Sequence, residues 1–267
     1  MFDPPVYFSA ASTMNAIKFA VARGAFFYVA GSVPVDRALA LANRFHERYD
    51  LPQSVGAREH RRRQGQARFS LHFWPRENAL ALDWWLLRSE GCHPLLRMEA
   101  WRDAREDRLV WPWWFELCQL PVDPELRARY RLPDGEFRIA SHTWTWRISP
   151  AELDRLRILI RHAAQHRDDR LPQLIRSLQL CPGDRGIRGD VHRLYRYIGS
   201  QCEKRKVAAP VIPSTIRWST GKRGPSLPLS SLIRRAESGA THWFPERSGA
   251  ASESRDTVLS NPTTGVI

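Results

Sequence analysis

The sequence has no apolar run long enough to cross a bilayer and no segment typical of a signal peptide. A spanning helix needs about 18 consecutive apolar residues, and every apolar run here is shorter. The first residues also lack the positively charged start and the apolar core that signal peptides share. We therefore expect a cytoplasmic protein with no membrane partner.

Cysteine is scarce, and its spacing excludes the common metal and disulfide frameworks. The four cysteines lie far apart and form no C-x-x-C pair, so neither a zinc ribbon nor a disulfide scaffold is indicated. His162 and His166 are four residues apart and would present two imidazoles to one metal ion, but no acidic residue occupies the matching turn. We predict no metal and no cofactor.

No catalytic signature is present either. The chain has no H-E-x-x-H motif, no G-x-S-x-G motif and no pair of carboxylates in a convincing context. The glycine-rich segment 183–189 precedes a predicted helix, which makes it a natural anion site, but it lacks the Gly-Lys-Thr/Ser ending of a nucleotide-binding P-loop. We predict that this segment contacts a phosphate backbone, and no catalytic residue can be named.

Lysine is nearly absent, whereas arginine is abundant. Four of the 41 basic residues are lysines, and the formal net charge is +13. Such an excess indicates a polyanionic partner, with nucleic acid first and DNA ahead of RNA. A GC-rich genome would enrich arginine in the same way, so the position of the charge is more informative than its total. Residues 142–206 hold 14 basic and 7 acidic side chains, the largest local excess.

Apolar periodicity predicts an α+β fold in which an antiparallel sheet with flanking helices precedes a basic helical subdomain and a disordered tail. Phe69, Leu71 and Phe73 alternate with polar residues, which gives a strand one buried and one solvated face. Leu153 and Leu156 begin the three- and four-residue spacing of a buried helix face. The predicted helices cover 12–23, 32–49, a segment from 150 onward, 170–179 and 190–206, and the predicted strands cover 25–31, 67–74, 79–88, 94–102, 108–120 and 136–147.

The helix that opens the basic stretch carries a complete start signal. Ser149 is placed to accept a hydrogen bond from a free helix amide, and Pro150 fits the first helical position. The Glu152 carboxylate is placed to reach back to the amide of the capping residue. These signals support an α+β domain at 1–147 and a basic helical subdomain at 148–208.

Residues 209–267 form the mostly disordered tail. Prolines are scattered through this segment and it has little periodic apolar patterning. We expect it to be dispensable for folding. A short helix at 230–237 and a docking contact through Trp243 and Phe244 are the expected exceptions.

Two groups of arginines are the predicted nucleic-acid contacts, because guanidinium groups match phosphate oxygens bidentately. The first group lies in the polar connection 52–66 and on the exposed face of the strand that follows, and a solvated loop tip is the competing interpretation of that connection. The second group lies on the polar faces and in the loop of the basic stretch. The predicted contacts are Arg58, Arg61, Arg62, Arg63, Arg68, Arg155, Arg157, Arg161, Arg185, Arg188, Arg193 and Arg196.

Tryptophans offer a further kind of contact. Trp111, Trp113 and Trp114 flank Pro112 and are placed to stack on unpaired bases, although such residues more often belong to a core or an oligomer contact. Exposed tryptophans are also the predicted contacts to partner proteins.

Several segments resemble uncharacterised proteins encoded on integrative conjugative elements and plasmids of Gram-negative bacteria. They are residues 1–9, 16–20, 27–34, 144–147 and the Gly-Ile-Arg-Gly segment 186–189. The resemblance covers residues 1–206, rests on no defined motif and brings no catalytic residues. It implies a setting in the maintenance, replication or transfer of mobile DNA.

The leading hypothesis is therefore a nucleic-acid-binding accessory protein of a mobile element. A phosphodiester-cleaving nuclease that uses His60 or His72 is the second hypothesis, and a cleft that unites His72, His142 and Arg147 would favour it. A structural subunit of a larger complex is the third, and a sheet face lined with exposed tryptophan would favour that one.

Overall fold

The computed structural model describes residues 1–51, 54–76, 79–112, 114–129, 140–166, 170–213, 224–240 and 242–245. Strands and helices are numbered in chain order. They are β1 (Pro5–Tyr7), α1 (Ala10–Ala22), β2 (Phe27–Pro34), α2 (Ala38–Tyr49), α3 (Val55–Arg63), β3 (Phe69–Pro75), β4 (Ala81–Arg88), β5 (Arg102–Asp103), β6 (Val110–Trp111), β7 (Phe115–Pro121), α4 (Pro124–Arg129), β8 (His142–Ile148), α5 (Pro150–His166), α6 (Arg170–Leu180), α7 (Arg185–Arg205), β9 (Ser226–Pro228) and α8 (Leu229–Glu237).

The strands form three antiparallel sheets, with orders β3-β4-β2-β5, β6-β7-β8 and β1-β9. Helices pack against these sheets, so the predicted α+β class is confirmed. Among the described helices, none combines the length and the apolar character that a membrane span requires.

The four-stranded sheet lies between two hydrophobic cores. Along β4, Trp85 and Leu87 belong to the first core, whereas Trp84 and Leu86 pack in the second. The consecutive tryptophans thus point to opposite faces, as the two-residue period of a strand requires. The first core also takes side chains from α1, the three-stranded sheet and α5 to α7, and the second takes side chains from α2, β1 and α8.

The predicted start of α5 is confirmed in one respect and wrong in another. The Glu152 amide donates to Ser149 Oγ at 3.4 Å, which caps the helix. The Glu152 carboxylate does not reach back, because it accepts bonds from Arg155 Nε and Nη2 at 2.7 and 2.6 Å. The Ser149 amide donates instead to the Trp114 carbonyl at 2.8 Å.

Two predicted loops are helical. Residues 55–63 form α3, since Ser54 Oγ accepts from the Ala57 amide at 3.1 Å and arginine is a good helix former. The glycine-rich segment 183–189 is mostly the first turn of α7, which Asp184 caps by accepting from the Arg185 amide at 3.1 Å. The helix therefore begins five residues earlier than its apolar pattern indicates.

The predicted strand at 94–102 is mostly absent. Residues Leu96–Met98 form a 3-10 turn, and the Leu96 carbonyl accepts a bond from Trp101 Nε1 at 2.8 Å. Only Arg102–Asp103 pair with β2.

The polar face of β3 is covered rather than exposed. Helix α1 packs over this strand, and Arg68, Ser70 and His72 are half-buried. Arg68 donates to the Arg23 carbonyl at 3.3 Å, and its amide donates to Ser89 Oγ at 3.0 Å. This face carries no continuous basic surface.

The boundary expected near residue 147 does not separate two cores. Trp146 is fully buried, and its Nε1 donates to the Met14 carbonyl of α1 at 2.8 Å. Ile187 and Leu194 of α7 belong to the same core. Helices α5 to α7 thus share one hydrophobic core with α1 and β8.

Part of the expected tail is folded. The predicted short helix is confirmed as α8, whose Leu229 and Leu232 are fully buried, and β9 pairs with β1. Trp243 Nε1 donates to the Arg76 carbonyl at 3.0 Å, and the Phe244 ring lies 6.0 Å from that of Trp74, so the expected docking contact is present. The rest of the tail prediction, at 214–223 and 246–267, lies outside the described residues.

Candidate functional site

An open groove of about 420 Å³ lies on the surface between α5 and α7. It brings together three of the predicted contact arginines from two different helices. The lining residues are Leu153 and Arg157 of α5 with Arg193, Leu194, Arg196, Tyr197 and Ser200 of α7.

Helical spacing explains why these side chains share one surface. Arg193, Arg196, Tyr197 and Ser200 are separated by steps of three and four residues, which place them on one face of α7. Leu194 is 2% exposed and lies on the adjoining buried face, so it contributes to the floor of the groove.

The α5 side of the groove likewise combines a buried leucine with an arginine. Leu153, 7% exposed, and Arg157 lie one helical turn apart. Arg161 is exposed one turn beyond Arg157 and continues the row of positive charge outside the groove.

The first turn of α7 is anchored to the sheet and to α1. Asp184 accepts bonds from Thr145 Oγ1 and from Lys18 Nζ, both at 2.6 Å. The Gly186 amide donates to the same hydroxyl at 3.0 Å. The helix N-terminus is therefore occupied by a carboxylate of the protein itself, and the Arg185, Gly186 and Arg188 amides of segment 183–189 are already hydrogen-bonded.

A buried carboxylate fixes the position of Arg193. Asp190 is completely buried, accepts from the Ile148 amide at 2.9 Å and forms an ion pair with Arg193. Arg147 Nε lies 3.8 Å from the same carboxylate and 3.7 Å from Glu116. Arg193 nevertheless keeps 56% of its side chain exposed and lines the groove.

The other groove arginines differ in their pairing. Arg157 donates to Asp154 at 3.0 Å, and this exposed pair keeps 49% of the arginine side chain in solvent. Within the part of the chain that the structure describes, Arg161 and Arg196 have no carboxylate partner. The groove and its rim therefore keep a net positive charge.

The α3 arginines form a separate and more compensated group. Arg62 and Arg63 both donate to Glu59, at 2.8 and 3.4 Å, and the bond from Arg62 lowers the pKa of Glu59. Arg61 pairs with Asp50 at 2.7 Å. Arg58 is half-buried on the same helix, and the Arg61–Asp50 pair links α3 to the end of α2 rather than to α5 or α7.

Four other predicted contacts serve the fold. Arg68 bonds to backbone as described above, and Arg155 holds Glu152 while its guanidinium lies 5.2 Å from the Trp114 ring centre. Arg185 donates to the Pro121 carbonyl and to Thr143 Oγ1, which ties α7 to β7 and β8. Burial lowers the pKa of Arg188, whose side chain is half-buried.

The tryptophans do not form an exposed platform. Every tryptophan in the described ranges is buried or half-buried, and Trp111 is stacked on Trp85 in the first core with ring centres 4.9 Å apart. Trp113 lies outside the described residues. Trp111 therefore belongs to the core, as the sequence favours, and partner contacts through tryptophan stay a prediction.

The structure does not assemble the nuclease residues. His142 begins β8 and Arg147 lies near its other end, five residues or about 16 Å along the strand. His72 is half-buried on β3 of the other sheet. His60 is exposed on α3.

The paired histidines also lack a third ligand within the described residues. The rings of His162 and His166 lie 4.3 Å apart. No group of three His, Cys, Asp or Glu side chains is placed to hold a metal ion in those parts of the chain.

Sequence reasoning missed the apolar part of the groove. Tyr197, Leu153 and Leu194 were assignable to helices, but only the packing of α5 against α7 shows that they lie between the arginines. The one signal in the sequence is the pattern Arg193, Arg196, Tyr197, which places an aromatic ring within a turn of two positive charges.

In comparisons with protein-family models, curated proteins and solved structures, nothing matches this chain. The function of the groove must therefore be argued from its own chemistry.

Proposed function

We propose that the protein binds nucleic acid through the groove between α5 and α7 and acts as a non-enzymatic accessory protein of a mobile element. The observation that carries the proposal is the convergence of Arg157, Arg193 and Arg196 on one groove. The mobile-element setting comes from the sequence resemblance alone.

The chemistry of the groove favours phosphate as the ligand. Guanidinium groups donate in a fixed fork that matches phosphate oxygens, and they keep their charge at every physiological pH. Arg196 and Arg161 have no carboxylate partner among the described residues, so phosphates are not competing with an ion pair for them. Arg193 is held in place by Asp190, which lowers the entropy that it loses on binding.

The binding surface can be tested by removing its charge, and the Tm of each variant is measured as well because Arg193 also pairs with the fully buried Asp190. The variant Arg157→Gln, Arg193→Gln, Arg196→Gln removes three positive charges from the groove. The control variant Arg37→Gln, Arg97→Gln, Arg234→Gln removes three charges from exposed positions elsewhere. Affinity for labelled single-stranded DNA, duplex DNA and RNA is measured by fluorescence anisotropy over a series of salt concentrations.

We expect wild-type affinity to fall steeply with salt, because each neutralised phosphate releases counterions with a log–log slope of about 0.7 to 0.9. The groove variant should bind more weakly on every sequence, with a slope lower by about two to three. The control variant should keep most of its affinity. If the wild-type protein binds none of the three nucleic acids, the proposal fails, and the structural-subunit hypothesis takes its place.

A further inference from the structure

The groove is not uniformly charged. Its arginines surround an apolar floor made by Leu153 and Leu194, and the Tyr197 ring adjoins that floor. Tyr197 is half-buried against the first core, so its ring is held rather than free to rotate into solvent. We propose that this groove takes an unpaired nucleotide, which makes single-stranded nucleic acid the preferred ligand. This inference rests on the proposed function.

The apolar floor has no use in binding a duplex backbone. A duplex offers phosphates and sugars to a protein surface, while its base faces are stacked inside the helix. A single strand offers phosphates together with the flat apolar faces of its bases, and every base has such a face. A groove that alternates guanidinium groups with a tyrosine and leucines matches the second ligand.

The dimensions of the groove agree with this assignment. A volume of about 420 Å³ falls in the range of roughly 300 to 1,000 Å³ that small-molecule sites occupy. Ser200 Oγ donates to the Tyr197 carbonyl at 3.0 Å, so this hydroxyl is bonded to the backbone of the groove wall. Arg161 lies one turn beyond Arg157, where it reaches the next phosphate of the same strand.

The decisive comparison uses wild-type protein and three probes of equal phosphate count. They are a thymidine oligonucleotide, an abasic oligonucleotide with the same backbone, and a duplex. We expect the thymidine strand to bind at least fivefold more tightly than the abasic strand, since stacking one base is worth roughly fivefold to a hundredfold in affinity. We also expect it to bind more tightly than the duplex. Equal binding of the thymidine and abasic strands, or tighter binding of the duplex, would overturn the inference.

A pair of variants tests the role of the ring itself. Tyr197→Phe keeps the aromatic face, and Tyr197→Ala removes it without changing charge. We expect the phenylalanine variant to bind single strands as the wild type does, and the alanine variant to lose at least fivefold with an unchanged salt slope. If both variants bind single strands equally tightly, the Tyr197 ring does not stack on a base. Should the alanine variant unfold, the abasic comparison still decides, because it needs no mutation.

These outcomes separate two failures. Salt-dependent binding that is equally tight for the thymidine and abasic strands contradicts the single-strand inference and leaves the proposed function standing. The absence of binding to every probe contradicts the proposed function itself.

Discussion

Two glycines in the first turns of α7 provide a sharp test of how this helix is seated. A Cβ atom added to Gly186 would lie 2.4 Å from the Trp146 carbonyl oxygen and 3.1 Å from Thr145 Cγ2. A Cβ added to Gly189 would meet nothing within 4 Å. The first obstacle is backbone, which cannot rotate away as a flexible side chain does.

Because their surroundings are opposite, alanine at the two positions should change the stability in opposite directions. Gly189→Ala should stabilise the protein by about 0.5–1 kcal/mol, because alanine is the better helix former and its methyl group lies in open space. Gly186→Ala should destabilise it by about 1–3 kcal/mol, the usual cost of forcing an extra carbon into a packed site. The two variants should therefore differ by about 1.5–4 kcal/mol in the free energy of unfolding.

Urea unfolding followed by tryptophan fluorescence measures this difference directly. Thermal unfolding gives a second measure, because 1 kcal/mol shifts Tm by about 2–4 °C in a chain of this size class. Equal stability of the two variants would refute the tight approach of α7 to β8, and with it the position of the groove arginines that α7 carries.

Two further predictions concern the C-terminal segment and the start of α5. Truncation after Ala209 should lower Tm by many degrees, because it removes the fully buried Leu229 and Leu232, whose burial stabilises the fold by about 1.5–3 kcal/mol each. An unchanged Tm would restore the expectation that the tail is dispensable. Ser149→Ala should lower the free energy of unfolding by about 1 kcal/mol, as measured by urea unfolding. Ser149→Thr should lower it much less, since threonine keeps the oxygen that caps the Glu152 amide. An equal loss in both variants would assign the effect to packing instead.

Local patterns were enough to predict much of the scaffold. The alternation of Phe69, Leu71 and Phe73 gave the buried face of β3 correctly, and all three are buried. Trp84 and Trp85 face opposite sides of β4, as the two-residue period of a strand requires. These predictions succeeded because they depend on neighbours in sequence, where the period of the backbone decides.

What failed depends on residues distant in sequence. The polar face of β3 is covered because α1 packs over it, which no local pattern reports. The anion site at the start of α7 is occupied because Lys18 and Thr145 both converge on Asp184. Likewise, an arginine bonded within the protein and one without such bonds look identical in the sequence, and only the geometry separates Arg185, which donates to the Pro121 carbonyl and Thr143 Oγ1, from Arg196.

The pairing of β1 with β9 has a consequence for the order in which the protein is made. Tyr7 pairs with Ser226, so roughly 220 residues must be synthesised before the first strand meets its partner. At about 5–20 residues per second, that wait lasts on the order of ten to forty seconds. The first core closes with α7, while the second lacks Leu229, Leu232 and Ile233 until the ribosome has passed them. The second core is therefore completed only after α8 has emerged, and until then the edge of β1 waits for its partner strand β9.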